Sequence, residues 1–194
     1  VLALVAQFAA FAQTAPRETV AAVRQRATRT PSTGLVHVRG IVTVSDGRRG
    51  LLFVQDDSGG VFVTPSPPAP AMAGGEVVAV SGRAVMTGRG PAIVDARLAV
   101  TGRGPRPAAQ PLSSLGGRVM AADARLIAVE GVVRGARVSP GGVEATIRTP
   151  EGTLTLLQPA GSRAEQTPVD AIVRVDGVLS HVMADDRSRQ RREL

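Results

Sequence analysis

LIAVEGVVRG, residues 126–135, decides the fold of this chain, because three other stretches repeat its pattern. They are LVHVRGIVTV (35–44), VVAVSGRAVM (77–86) and IVRVDGVLSH (172–181). Each is an alternating apolar run with glycine at its sixth position: Gly40, Gly82, Gly131 and Gly177. Alternation with period two marks a half-buried strand rather than a helix, and Val and Ile suit a pleated surface. A glycine inside such a strand signals a bulge or a sharp bend. The sequence thus predicts four long strands, each bent near its middle by a structural bulge glycine.

These strands fall into two pairs. Gly40 and Gly131 are 91 residues apart and Gly82 and Gly177 are 95 apart, so about half the chain is the repeating unit. Each half holds a hairpin between its paired strands. The first is LLFVQDDSGGVFV (51–63), turning at Asp57-Ser58-Gly59-Gly60; the second is VEATIRTPEGTLTLL (143–157), turning at 149–152. The first half continues through TGRGP (87–91) into AIVDARLAVTG (92–102) as a closing strand. A long bent strand, a hairpin, a second long strand and a closing strand make the five-stranded, partly open barrel of the OB fold. The expected fold class is all-β: two tandem five-stranded OB-like barrels, the second lacking its last strand, with a short N-terminal helix.

The expected domains follow. Residues 1–15, opening VLALVAQFAAFA, read as a signal-peptide remnant: the apolar run is too short to span a bilayer and carries Ala10-Phe11-Ala12 as a small-x-small cleavage pattern. Residues 16–34 hold a short helix over PRETVAAVRQRA (16–27) and a lead-in; Pro16 suits a first turn and Glu18 a helix N-terminus. Barrel 1 takes 35–104, a linker that is Pro/Gly-rich at its start takes 105–124, and truncated barrel 2 takes 125–194. A chain so organised is expected to work outside the cytoplasm.

Composition narrows the chemistry. With 43% hydrophobic and 20% charged residues the chain is globular, and it has no cysteine, so no disulfide framework exists. The net charge of +7 is spread as +3, +2 and +2 over residues 1–34, 35–104 and 105–194. Only RSRQRR (187–192) is a dense basic run, whereas a nucleic-acid footprint is a concentrated patch. His37 and His181 are the only histidines, which argues against a His/Cys metal cluster. No GxSxG, HExxH or phosphate-cradling loop occurs, and both TGRGP copies follow strands without opening a helix. No catalytic residue, metal or cofactor is expected. Asp56, Asp57 and Ser58 lack the acidic spacing of a calcium loop and read as turn chemistry.

Binding remains. Phe53 and Phe62 face each other across the first hairpin, on the side where OB barrels hold single strands. They read as barrel core or as an apolar patch touching a ligand, the neighbouring barrel or a partner subunit. Gln55 and Arg39 are the polar rim candidates. Asp56 and Asp57 would repel phosphates, and the second hairpin has no aromatic.

The order VHVRGIVTV…GLLFVQDDSGGVFVTP, then GEVVAVSG, VTGRGP and IAVEGVVR, resembles the tandem OB-like extracytoplasmic (periplasmic) N-terminal region of bacterial sensor histidine kinases and related signalling proteins. The likeness covers residues 35–181, with the LFVQDDSGG hairpin its most distinctive piece. It implies a membrane-associated, two-component sensory region that binds an unknown small ligand or protein partner, as a homodimer in one arrangement, with the membrane engaged by segments outside this chain. The matched residues are strand, turn and bulge positions, so the resemblance assigns no ligand. The alternatives are a stand-alone OB protein binding single-stranded nucleic acid, which the charge distribution disfavours, and an envelope interaction module that pairs through open strand edges.

Overall fold

The computed structural model describes residues 16–29, 34–115, 123–139, 142–159 and 168–180. The signal-like segment 1–15, His181 and the basic run 187–192 lie outside the described residues. Five strands form the first unit: β1 (Leu35–Asp46), β2 (Leu51–Asp56), β3 (Gly59–Pro65), β4 (Glu76–Thr87) and β5 (Gly90–Arg103). They close into a barrel in the order β1-β2-β3-β5-β4. β1 is long enough to serve two partners: residues 35–41 pair with β4 and residues 41–46 with β2, both antiparallel. β5 runs parallel to β3 and antiparallel to β4, which completes the circle. The hairpin turn is tighter than its sequence implied, because Gly59 and Gly60 already belong to β3.

Alternate residues of every strand point inward. Val36, Val38, Val54, Val61, Val78 and Ile93 are at most 2% exposed, and each contributes about 1.5–3 kcal/mol through burial. The barrel's end is plugged by α1 (Val20–Thr28), whose Val20, Val23 and Ala27 join the same core cluster. The helix starts four residues later than Pro16 suggested. Thr19 is the cap, its hydroxyl accepting from the Ala22 N–H at 3.2 Å. Glu18 therefore lies ahead of the helix, its N–H donating to the His37 carbonyl and its carboxylate pairing with Arg26 at 2.9 Å.

The second sheet repeats the first. β7 (Leu126–Ser139), β8 (Gly142–Thr149), β9 (Gly152–Pro159) and β10 (Ile172–Val178) lie in the order β10-β7-β8-β9, which matches β4-β1-β2-β3. β7 copies β1, pairing with β10 over residues 126–132 and with β8 over residues 132–139. Among the described residues no strand bridges β9 and β10, so the described strands form an open sheet. The stretch before it is not bare linker. Gln110–Pro111 add a short strand, β6, parallel to β7, and Leu112 is buried against Ile127.

Three of the four glycines work by close approach. A Cβ on Gly40 would stand 2.8 Å from the Gln55 carbonyl oxygen, and one on Gly131 2.5 Å from that of Arg148. Both lie where one strand passes from its first partner to its second, and the bulges themselves fall just beyond, between Val42 and Val44 and between Val133 and Gly135. Gly82 does sit on an irregularity, between Ser81 and Arg83 opposite β5. Gly177 does not: it pairs in unbroken register with Ile127, and a Cβ there would meet nothing within 4 Å. Gly82 keeps the same unbroken register with β1, so its irregularity belongs to the β5 side, and no counterpart of β5 is among the described residues.

Candidate functional site

The outward side of the β2–β3 hairpin is the face from which a ligand-binding role was expected, and it is covered. Phe53 and Phe62 are registered partners with ring centroids 5.4 Å apart and planes tilted by 50°. They are only 4% and 9% exposed. Leu51, Ala92 and Val94 pack around them from the first barrel, and Ala124 and Val178 cover them from the second unit. The Arg89 guanidinium stands 5.8 Å from the centre of the Phe62 ring. The pair is therefore neither inner barrel core nor a free ligand patch; it is the apolar part of the joint between the two units.

Gln55 belongs to the same joint rather than to a polar rim. Its side chain is 8% exposed, and its Oε1 accepts the Leu126 N–H at 2.9 Å, which ties β2 to the start of β7. Next to it, Gly60 leaves no room: a Cβ would stand 1.7 Å from the Ala124 carbonyl oxygen. The arm of residues 123–126 thus lies on bare backbone. Arg125 donates to the Ser58 carbonyl at 2.6 Å. Arg24, on α1, donates to the Gly60 carbonyl and to Asp123 Oδ2, both at 3.0 Å. Asp123 is only 5% exposed, so this ion pair is substantially shielded from solvent. The arm is held from its other side by β10's end, where the Ala124 N–H donates to the Leu179 carbonyl at 2.7 Å.

Asp56 organises the hairpin tip. Its Oδ1 accepts the Ser58 and Gly59 N–H groups at 2.8 and 3.0 Å, and its Oδ2 accepts the Val20 N–H at 2.9 Å. Ser58 Oγ accepts the Ala21 N–H at 2.9 Å. Asp56 and Ser58 thus take up the first two amides of α1 alongside the Thr19 cap, with the Asp56 carboxylate engaged inside the fold. A cleft of about 230 Å³ remains between the helix, the turn and the arm, lined by Ala21, Arg24, Ser58, Gly59, Asp123 and Arg125.

Arg39 is not brought to this site. It is exposed on the stretch of β1 that pairs with β4, opposite Ala79. The inward–outward alternation shifts at the bulge after Val42, so Val44 faces the Phe53 cluster while Arg39 faces another wall. Sequence reasoning missed Arg24, Ser58, Asp123 and Arg125 as joint residues. Their joint contacts, like Gln55's with Leu126, span 36, 99, 67 and 71 positions, beyond any local pattern. Only the Gly59-Gly60 doublet carried a signal, since a strand glycine can mark close backbone approach.

Among the described residues no group of three His, Cys, Asp or Glu side chains could hold a metal ion. Among the same residues no helix is long and apolar enough to cross a membrane.

The fold defines an all-β protein of barrel-like sheets on the OB plan. No family model and no curated relative matches the chain. Two solved structures share some of its shape. One, described as "Structural mimicry for functional antagonism", is 10% identical, covers 81% of this chain and 98% of its own, and has a TM-score of 0.33. The other is the Ifi202 HINa domain in complex with 20-bp double-stranded DNA, 12% identical, covering 63% and 76%, with a TM-score of 0.30. Likenesses this distant carry no argument about function.

Proposed function

We propose that the chain is the non-catalytic, extracytoplasmic sensory or interaction region of a membrane-bound two-component signalling protein, a sensor histidine kinase on the resemblance of its strand and hairpin residues. What supports a relay rather than a simple receptor is one observation: the β2–β3 face, where an OB barrel would hold a ligand, is occupied by the second unit. The contact combines a small apolar cluster with a few polar ties from Gln55, Arg24 and Arg125. Such a joint has two accessible arrangements, docked and released, separated by a few kcal/mol. A ligand or partner that favours one of them shifts how the two units sit, and an adjoining membrane segment passes the change on. The reading frame of the gene tests the signalling part. A frame that continues past Leu194 into about 20 apolar residues and a kinase region supports it. A frame that closes there overturns it and leaves the docked pair of units as an interaction module.

Nucleic-acid binding is the second reading, favoured by the closed OB-type barrel and by exposed arginines on another wall. Against it, the two phenylalanines that would stack bases are covered.

A further inference from the structure

The wall made by β1, β4 and β5 has a chemistry that the joint does not use. Strand register places His37, Ser81 and Arg97 in one cross-strand row and Arg39, Ala79 and Ala99 in the next. Alternation turns these positions outward, while their neighbours Val36, Val38, Val78 and Val80 fill the barrel. Arg39 and Arg97 are exposed and stand on the outer strands, diagonal to one another across β4. Between them β4 presents only Ala79 and Ser81, so the two long cationic side chains flank a low strip.

The surrounding charges are already spent. Arg83 is bound to Asp95, Glu76 pairs with Arg103, and Glu18 pairs with Arg26. Among the described residues neither Arg39 nor Arg97 has an acidic partner. At one end of the strip Leu35 is 61% exposed, opposite Arg83. Arginine is enriched at interface centres relative to the rest of the surface, and here two stand without an acidic partner near an exposed leucine.

We propose that this wall docks an acidic segment of a partner protein, with its carboxylates held by Arg39 and Arg97 and an apolar residue covering Leu35. Charge selects this occupant over two others. A second copy using the same face would set arginine against arginine, which opposes association. A nucleic-acid strand would find about two free cations, against the 6–10 phosphate contacts of an effective backbone binder, and no Phe, Tyr or Trp ring to stack on. The proposal does not rest on the sensory reading, and the outcome of its test is independent of what lies beyond Leu194.

The test is amide-resolved NMR titration of the whole chain with three probes. They are a short peptide in which glutamate alternates with serine and valine, the same peptide with glutamine, and an oligothymidylate. The expected result is a saturable response to the glutamate peptide at residues 35–39, 79–83 and 97–99. The Arg39→Glu/Arg97→Glu pair should weaken it by about tenfold or more. The Arg39→Gln/Arg97→Gln pair should weaken it less, and unperturbed amides elsewhere would show that both variants are folded. No saturable response, equal binding of the glutamine peptide, insensitivity to charge reversal, or tighter binding of the oligothymidylate to this wall would each overturn the proposal.

Discussion

Gly60→Ala is the smallest change that separates the two units if the joint is built as described. The added Cβ would stand 1.7 Å from the Ala124 carbonyl oxygen, 2.4 Å from its carbon and 3.0 Å from the Arg125 nitrogen. Ordinary contact begins near 3.4 Å, so the arm must retreat by more than 1.5 Å, and its opponents are backbone atoms that cannot swing aside. A retreat of that size breaks the 2.9 Å bond from the Leu126 N–H to Gln55 and leaves two buried polar groups unpaired. The cost is about 1–3 kcal/mol. Hydrogen exchange reads this directly: the Leu126 amide should exchange about five- to 150-fold faster in the variant. Amides of β1 and β4 in the barrel core should keep their protection. Gly59→Ala is the control, since its Cβ would meet its nearest neighbours at 3.7 Å. That change should leave exchange unaltered or raise stability slightly by restricting the unfolded chain. If Gly60→Ala leaves Leu126 as protected as Gly59→Ala does, the arm does not lie on the hairpin, and the two units are not joined as a relay requires.

Asp56→Ala should destabilise the first barrel by about 2–3 kcal/mol in denaturant unfolding, because it removes the turn's acceptor and the acceptor of the Val20 N–H at the start of α1 together. Asp57→Ala, one position on, provides the comparison and should cost much less. Gly131→Ala should cost about 1–3 kcal/mol through the clash with the Arg148 carbonyl, whereas Gly177→Ala should change stability by less than about 1 kcal/mol. Equal effects of the two glycine changes would contradict the close-approach account of the repeat.

The repeat was legible because strand alternation and hairpin turns are local. Residues 35–46 announce a strand by their own spacing, and β7 announces its kinship with β1 by repeating it. The helix was legible in kind but not in its start, since Pro16 was read as its first turn whereas it is the Thr19 hydroxyl that finds the Ala22 N–H. The glycine pattern was legible too, yet its meaning was not. Gly40 and Gly131 occupy crossing points where a second strand presses on the backbone, while Gly177 has the same sequence setting and open space.

The site shows the same division more sharply. Phe53 and Phe62 could be placed opposite one another from the hairpin alone, because their register follows from the turn. What lies over them could not, because Ala124 and Val178 are ordinary small and apolar residues from distant parts of the chain. By itself the sequence determined the periodicity, the strand order within each half and the outward side of the hairpin, all consequences of backbone geometry and neighbouring residues. Only the tertiary structure decided that this outward side becomes an interior. Burial there depends on which surface the second unit meets, and that is chosen by complementarity between segments about 70 to 100 positions apart.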